Sequence, residues 1–133
     1  EKVMGYIQHK SEESLEDYLE TILILSKRLP VVRSIDIANE LDFSKPSVSV
    51  AVKNLKNRNY ITVSSNGYIS LTEAGKEIAE KVYECHNLLT DWLVHLGVNP
   101  ETAAADACKM EHDISSESYE AMKKCILSLL DKH

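Results

Sequence analysis

Apolar residues recur along this chain at two spacings, and the change between them divides it. Leu15, Tyr18, Leu19, Ile22 and Leu25 sit three or four apart, the stripe of an amphipathic helix. That helix is expected to open at Ser11 or Ser14, both good N-caps, to run to about Lys27 and to be closed off by Pro30. Ile37, Ala38 and Leu41 then form the inner face of a short helix capped by Ser34. After the turn Asp42-Phe43-Ser44 comes a third helix, with Ser44 as N-cap, Pro46 in its first turn, and Val48, Val52 and Leu55 inward. At 60–71 the period drops to two. Tyr-Ile-Thr-Val-Ser-Ser-Asn-Gly-Tyr-Ile-Ser-Leu alternates around Asn66-Gly67, a strong hairpin signal. Helical spacing returns with Ile78, Val82, Cys85, Leu89, Trp92 and Leu96, behind Thr72 as cap and ahead of Gly97 as terminator. Asn99-Pro100 starts a further helix. Ser115 or Ser116 opens a last one, with Tyr119, Met122, Ile126 and Leu130 inward.

Two short helices joined by a tight turn make a helix-turn-helix, whose second helix enters the major groove of DNA. A helical hairpin used only for packing would share that pattern, but a β-hairpin following at once makes a winged helix. The long helix after it, about 24 residues or some 36 Å, exceeds what such a domain needs to close its core. Its surplus apolar face, with Trp92 and Leu93, points to a homodimer. The expected fold is therefore mainly α. An N-terminal winged helix-turn-helix with a small β-hairpin wing (1–72) precedes a helical domain (73–133).

Composition adds a partner. At 44% apolar and 27% charged, the 133 residues read as a folded globular chain. No apolar run approaches the roughly 18 residues of a membrane span, and no secretory leader is recognisable. Three cysteines (85, 108, 125), an odd number without disulfide-like spacing, fit a reducing cytoplasm. The net charge of −6 argues against nucleic acid, but its distribution reverses that. Residues 27–60 carry seven Lys/Arg against three Asp/Glu, whereas 1–26 sum to −4 and 61–133 to −6. A local basic segment is the electrostatic footprint of a DNA binder.

Candidate chemistry lies in Cys108-Lys-Met-Glu111-His112. On a helix, Cys108, Glu111 and His112 share a face and can present thiolate, carboxylate and imidazole to one transition-metal ion. The plain alternative is a half-buried Cys beside two solvated polar residues. Asp17 and Glu20, one turn apart beside the first apolar stripe, and His86, next to Cys85, have equally plain readings as solvated or structural groups. The same cluster would also suit a catalytic zinc with an open position, although no separate general base or oxyanion donor is recognisable.

Taken in order, these features resemble a known family. An acidic first helix, Ile-Asp-Ile-Ala-x-x-Leu-x-x-Ser-x-Pro-Ser-Val-Ser at 35–49, an Asn-Gly wing, His86 and Cys-x-x-Glu-His are similar to the diphtheria-toxin-repressor family of metal-dependent transcriptional repressors. The likeness runs from about residue 11 to residue 130. It implies a helical metal-binding and dimerisation domain behind the winged helix, and repression of transcription. From the family's manganese-transport-regulator branch it implies metal ligands at Asp17, Glu20, His86, Cys108, Glu111 and His112. Position 108 departs, being a carboxylate in that branch. The iron-responsive branch does place Cys there, but has Met in place of Asp17 and further second-site ligands where this chain has Thr90 and Ala104. The SH3-like third domain of that branch has no room in the chain as given. The expected cofactor is a divalent transition metal, one or two ions per subunit. Hard oxygen donors favour Mn²⁺, while the thiolate pulls toward Fe²⁺ or Zn²⁺. Cys85 and Cys125 are expected to be packing residues.

The expected partner is double-stranded operator DNA. Contacts are expected from Ser44, Lys45, Pro46, Ser47, Ser49 and Lys53, with Arg33 on phosphate and the wing tip near Asn66. The alternative is a winged-helix DNA-binding regulator indifferent to metal.

Overall fold

The computed structural model describes the backbone of residues 2–131 and the side chains of residues 15–130 other than His112. The elements are α1 (Lys2–Arg28), α2 (Ser34–Leu41), α3 (Lys45–Asn57), β1 (Ile61–Val63), β2 (Ile69–Leu71), α4 (Glu73–His95), α5 (Pro100–Asp113) and α6 (Ser116–Asp131). They form two compact units, residues 1–80 and 81–133, with the division falling inside α4. Among the described residues no helix is long and apolar enough to cross a membrane.

In the first unit, α1 buries Tyr18, Leu19, Ile22 and Leu25, and Thr21 and Leu23 with them, a wider face than the simple stripe. It begins well before the expected caps. Residues 2–10 hold one glycine and no proline, so nothing in their backbone chemistry stops a helix, and α1 runs through Ser11 and Ser14. The side chains of those two serines lie outside the described residues. Ser34 is likewise not the cap of α2. Arg33 is, with extended backbone, and its N–H donates to the Asp36 carboxylate one turn on (2.9 Å). A carboxylate at that position answers both the free amide and the positive end of the helix. Asp42, in the left-handed region at φ 56°, ends α2. Ser44 caps α3 as expected, accepting from the Ser47 N–H (3.3 Å), and Val48 and Leu55 are fully buried; Val52 is only half-buried.

The wing is a two-stranded antiparallel hairpin pairing Ile61 with Leu71, Thr62 with Ser70 and Val63 with Ile69. Its tip is not a two-residue Asn-Gly loop. The Gly67 N–H closes a turn onto the Ser64 carbonyl (2.9 Å), and Gly67 alone takes the left-handed conformation, at φ 82°. The Ile69 N–H donates to the Val32 carbonyl (2.8 Å), which ties the segment ahead of α2 to the wing.

Thr72 caps α4. Its hydroxyl accepts from the Gly75 N–H (3.1 Å) and donates to the Asn59 carbonyl (2.7 Å), and its own N–H donates to the Tyr60 carbonyl (3.1 Å). These bonds draw the first turn of α4 so close to Tyr60 that a Cβ on Gly75 would lie 1.9 Å from the Tyr60 oxygen.

The second unit packs Cys85, Leu88 and Leu89 of α4 against Ala107 of α5 and Tyr119 and Ile126 of α6, with Trp92, Met110, Ile114, Met122 and Leu130 around them. Asn99 caps α5 through its side-chain oxygen, which accepts from the Glu101 N–H (2.9 Å). Ser115 caps α6, accepting from the Ser118 N–H (3.1 Å). Two expectations are corrected here. Cys125 is exposed rather than packed, because it stands one position off the stripe that includes the buried Ile126. Leu96 is 60% exposed, because it lies past the end of α4.

Gly75→Ala is expected to destabilise the chain by about 1–3 kcal/mol through overpacking. A lower denaturant midpoint in equilibrium unfolding would show it. Gly67→Ala, with open space around the added methyl, should cost only its unfavourable φ.

Candidate metal centre and nucleic-acid interface

Ala103 and Ala107 are completely buried. Ala107 packs in the same cluster as Leu88 and Leu89 of α4, and Glu111, one turn further along α5, comes beside His86. There the His86 Nδ1 lies 3.3 Å from a Glu111 oxygen. The Glu111 side chain is 1% exposed and that of His86 26%. Cys108, half-buried and one turn before Glu111, brings a ligand atom within 4.8 Å of one on Glu111. Glu111 thus has a nitrogen donor from α4 near it and a sulfur donor from its own helix, both in the second unit. A buried carboxylate needs a proton, a hydrogen-bonding cation or a metal ion to offset its lost hydration. This donor set fits a divalent transition metal. The His112 backbone lies in α5, but its side chain is outside the described residues. In the first unit Asp17 and Glu20 stand one turn apart on α1, both half-buried.

Elsewhere in the second unit, Glu84 ties α4 to α6. It pairs with Lys123 and accepts from the Tyr119 hydroxyl (3.1 Å). Lys123 holds the Glu84 carboxyl below its usual range, and burial, then Glu84, push the Tyr119 hydroxyl well above its own.

The residues expected at DNA all lie in the first unit. Lys45 and Pro46 form the first turn of α3, and the Ser44 hydroxyl donates to that of Ser47 (2.9 Å). Pro46, Ser49 and Lys53 are exposed at helical spacing, on the side away from Val48 and Leu55. Val50 belongs to the same outward row, 64% exposed, and went unnoticed in sequence because an apolar residue in an amphipathic helix reads as core. Its spacing from Pro46 and Lys53 was the available signal. Asn66 is exposed at the wing tip, and Arg33 is exposed at the N-cap of α2 with its guanidinium over the Tyr68 ring.

Comparison with known proteins matches this division of labour. Residues 10–68 match the iron dependent repressor N-terminal DNA binding domain, and residues 72–129 the iron dependent repressor metal binding and dimerisation domain. Over 126 residues the chain is 32% identical to the transcriptional regulator MntR of Escherichia coli O157:H7, covering 92% of this chain and 81% of that one. The chain belongs to the iron-dependent repressor family. Family membership makes it a transcriptional regulator rather than an enzyme, which removes the catalytic-zinc alternative. An uncharacterized HTH-type transcriptional regulator of Methanocaldococcus jannaschii is 33% identical over 122 residues, 90% of this chain and 98% of that one. The solved structure of the manganese regulator SloR superposes with a TM-score of 0.75 at 29% identity over 84% of this chain. The chain spans about half (53%) of the SloR chain's length.

Ser44→Ala should cost about 1 kcal/mol by freeing the first amides of α3. Ser44→Gly should cost only a few tenths by the same measure, and chemical denaturation of the two variants tests the difference.

Proposed function

We propose that this chain is a metal-dependent transcriptional repressor that binds operator DNA as a homodimer when loaded with a divalent cation, and so controls metal-ion homeostasis. The carrying observation is the buried Glu111 carboxylate against His86, with Cys108 beside it, in a chain whose other unit is a winged helix-turn-helix. The ligands in this reading are Asp17, Glu20, His86, Cys108, Glu111 and His112. The hard oxygen donors favour Mn²⁺, in keeping with the SloR likeness; Fe²⁺ and Zn²⁺ are the alternatives the thiolate supports, with one or two ions per subunit.

The chain's own charges supply the switch. If Cys108 binds as thiolate, this ligand set of Asp17, Glu20, Cys108 and Glu111 would bring up to four negative charges together, which repel one another. A bound divalent cation supplies the positive charge that neutralises this set. Because α1 packs on α2 and α3, whatever fixes Asp17 and Glu20 also fixes the reading helix. A dimer needs its two reading helices at a set separation to fit half-sites one helical turn apart, or a multiple of it. Coupling of about 1–3 kcal/mol between metal and DNA is enough for such a switch.

On the DNA side, Lys45, Lys53 and Arg33 answer phosphates, with Ser44, Ser47 and the wing tip at Asn66 assisting. Pro46, Ser49 and Val50 face base edges, where Val50 suits the methyl group of thymine.

The test is DNA binding by the chelated full chain, titrated with Mn²⁺, Fe²⁺ (anaerobically) or Zn²⁺, on duplex DNA from its own promoter. Tightening with Mn²⁺ alone supports a manganese sensor. A stronger response to Fe²⁺ or Zn²⁺ assigns selectivity to Cys108. Binding indifferent to all three would sink the metal-dependent reading in favour of a plain winged-helix regulator. Asp17→Ala is expected to abolish the metal response while leaving helix content and unfolding midpoint intact. Co²⁺ bound to the chain should show a sulfur-to-metal absorption band that Cys108→Ser removes.

A further inference from the structure

We propose that Tyr68 of the wing is the platform that holds Arg33 against a DNA phosphate, so that the start of α2 and the wing act as one contact. The inference rests on the DNA-binding reading above and deepens it. Tyr68 is a positioning residue that acts through Arg33.

The Arg33 guanidinium carbon lies 4.9 Å from the centre of the Tyr68 ring, and one of its amino groups donates to the Tyr68 hydroxyl (3.2 Å). The neighbouring bond from the Ile69 N–H to the Val32 carbonyl (2.8 Å) holds the two backbones in register beside this pair. Asp36, the nearest acid in sequence, accepts from the backbone N–H of Arg33 (2.9 Å). Among the described residues no carboxylate pairs with the Arg33 guanidinium. Arg28 is the contrast, since its charge is taken up by Glu40 at 2.7 Å.

An aromatic ring attracts a guanidinium without cancelling its charge. A hydrogen bond to a phenol uses one of five donors and leaves the others for a two-pronged contact with phosphate. Holding the side chain in place beforehand removes part of the entropy cost that an exposed arginine meets on binding. A flexible basic residue would give attraction only; this pair also fixes where the phosphate sits relative to the wing.

The test is a double-mutant cycle on the full chain with Mn²⁺ present, read by fluorescence anisotropy on random-sequence duplex DNA across a salt series. Arg33→Ala should weaken binding and lower the slope of log K against log salt by about one. Tyr68→Leu, which keeps bulk but loses the π face, should weaken binding about two- to fivefold. Tyr68→Phe should restore most of that loss. In the Arg33→Ala background, Tyr68→Leu should change nothing further. Equal losses from Tyr68→Leu in both backgrounds, or a Phe variant no better than Leu, would overturn the pairing while leaving DNA binding in place. Absence of duplex binding by the unaltered chain at every salt concentration would instead overturn the DNA-binding reading itself.

Discussion

The Glu111 carboxylate is withdrawn from water, and a lone negative charge in that position costs several kcal/mol. Much of the second unit is arranged around meeting that demand. Ala107 of α5 shares a core cluster with Leu88 and Leu89 of α4, and the imidazole of His86 lies beside the acid. The His86 imidazole beside it is a group that can help to offset that charge, and in the proposed reading a divalent cation would offset it further.

The first unit meets a different constraint. Its reading helix must keep an outward row of small and basic residues, so its hold on the rest of the unit depends on Val48 and Leu55 and on the Ser44 cap. The wing is fastened twice, by Ile69 to Val32 and by Thr72 to Tyr60 and Asn59. Basic charge is placed selectively: Arg28 is spent on Glu40, whereas Arg33 is kept available. The net acidity of the chain therefore says little about the field at this surface.

Element order and type were legible in sequence because the apolar spacing is strong and the caps at Ser44, Thr72 and Asn99 are made by side chains that favour caps. The misplaced starts have two causes. At Ser11 and Ser14 capping preference alone does not end a helix whose preceding residues are themselves helix-compatible, whereas at Ser34 the cap falls one residue earlier, at Arg33, whose amide the Asp36 carboxylate answers. Gly75 escaped notice because a glycine inside a helix is ambiguous until the neighbouring carbonyl is known. For the candidate centre, the spacing of Cys108 and Glu111 was readable from helical geometry. The approach of His86 was not, because it depends on how two separate helices, α4 and α5, pack in the shared core. Val50 and Tyr68 were hidden for a related reason: an apolar or aromatic side chain announces its size in sequence, not the direction in which it faces.

The three thiols occupy three different environments, with Cys125 in solvent, Cys108 partly covered and Cys85 interior. Alkylation follows accessible thiolate, so the three should be modified in that order. The unaltered chain therefore carries a set of internal clocks. Cys125 reports reagent quality at once, Cys108 reports how well it is covered, and Cys85 reacts only when α4 leaves its core. Mass spectrometry of a single quench series would read protection and local opening together, without a label or an engineered residue.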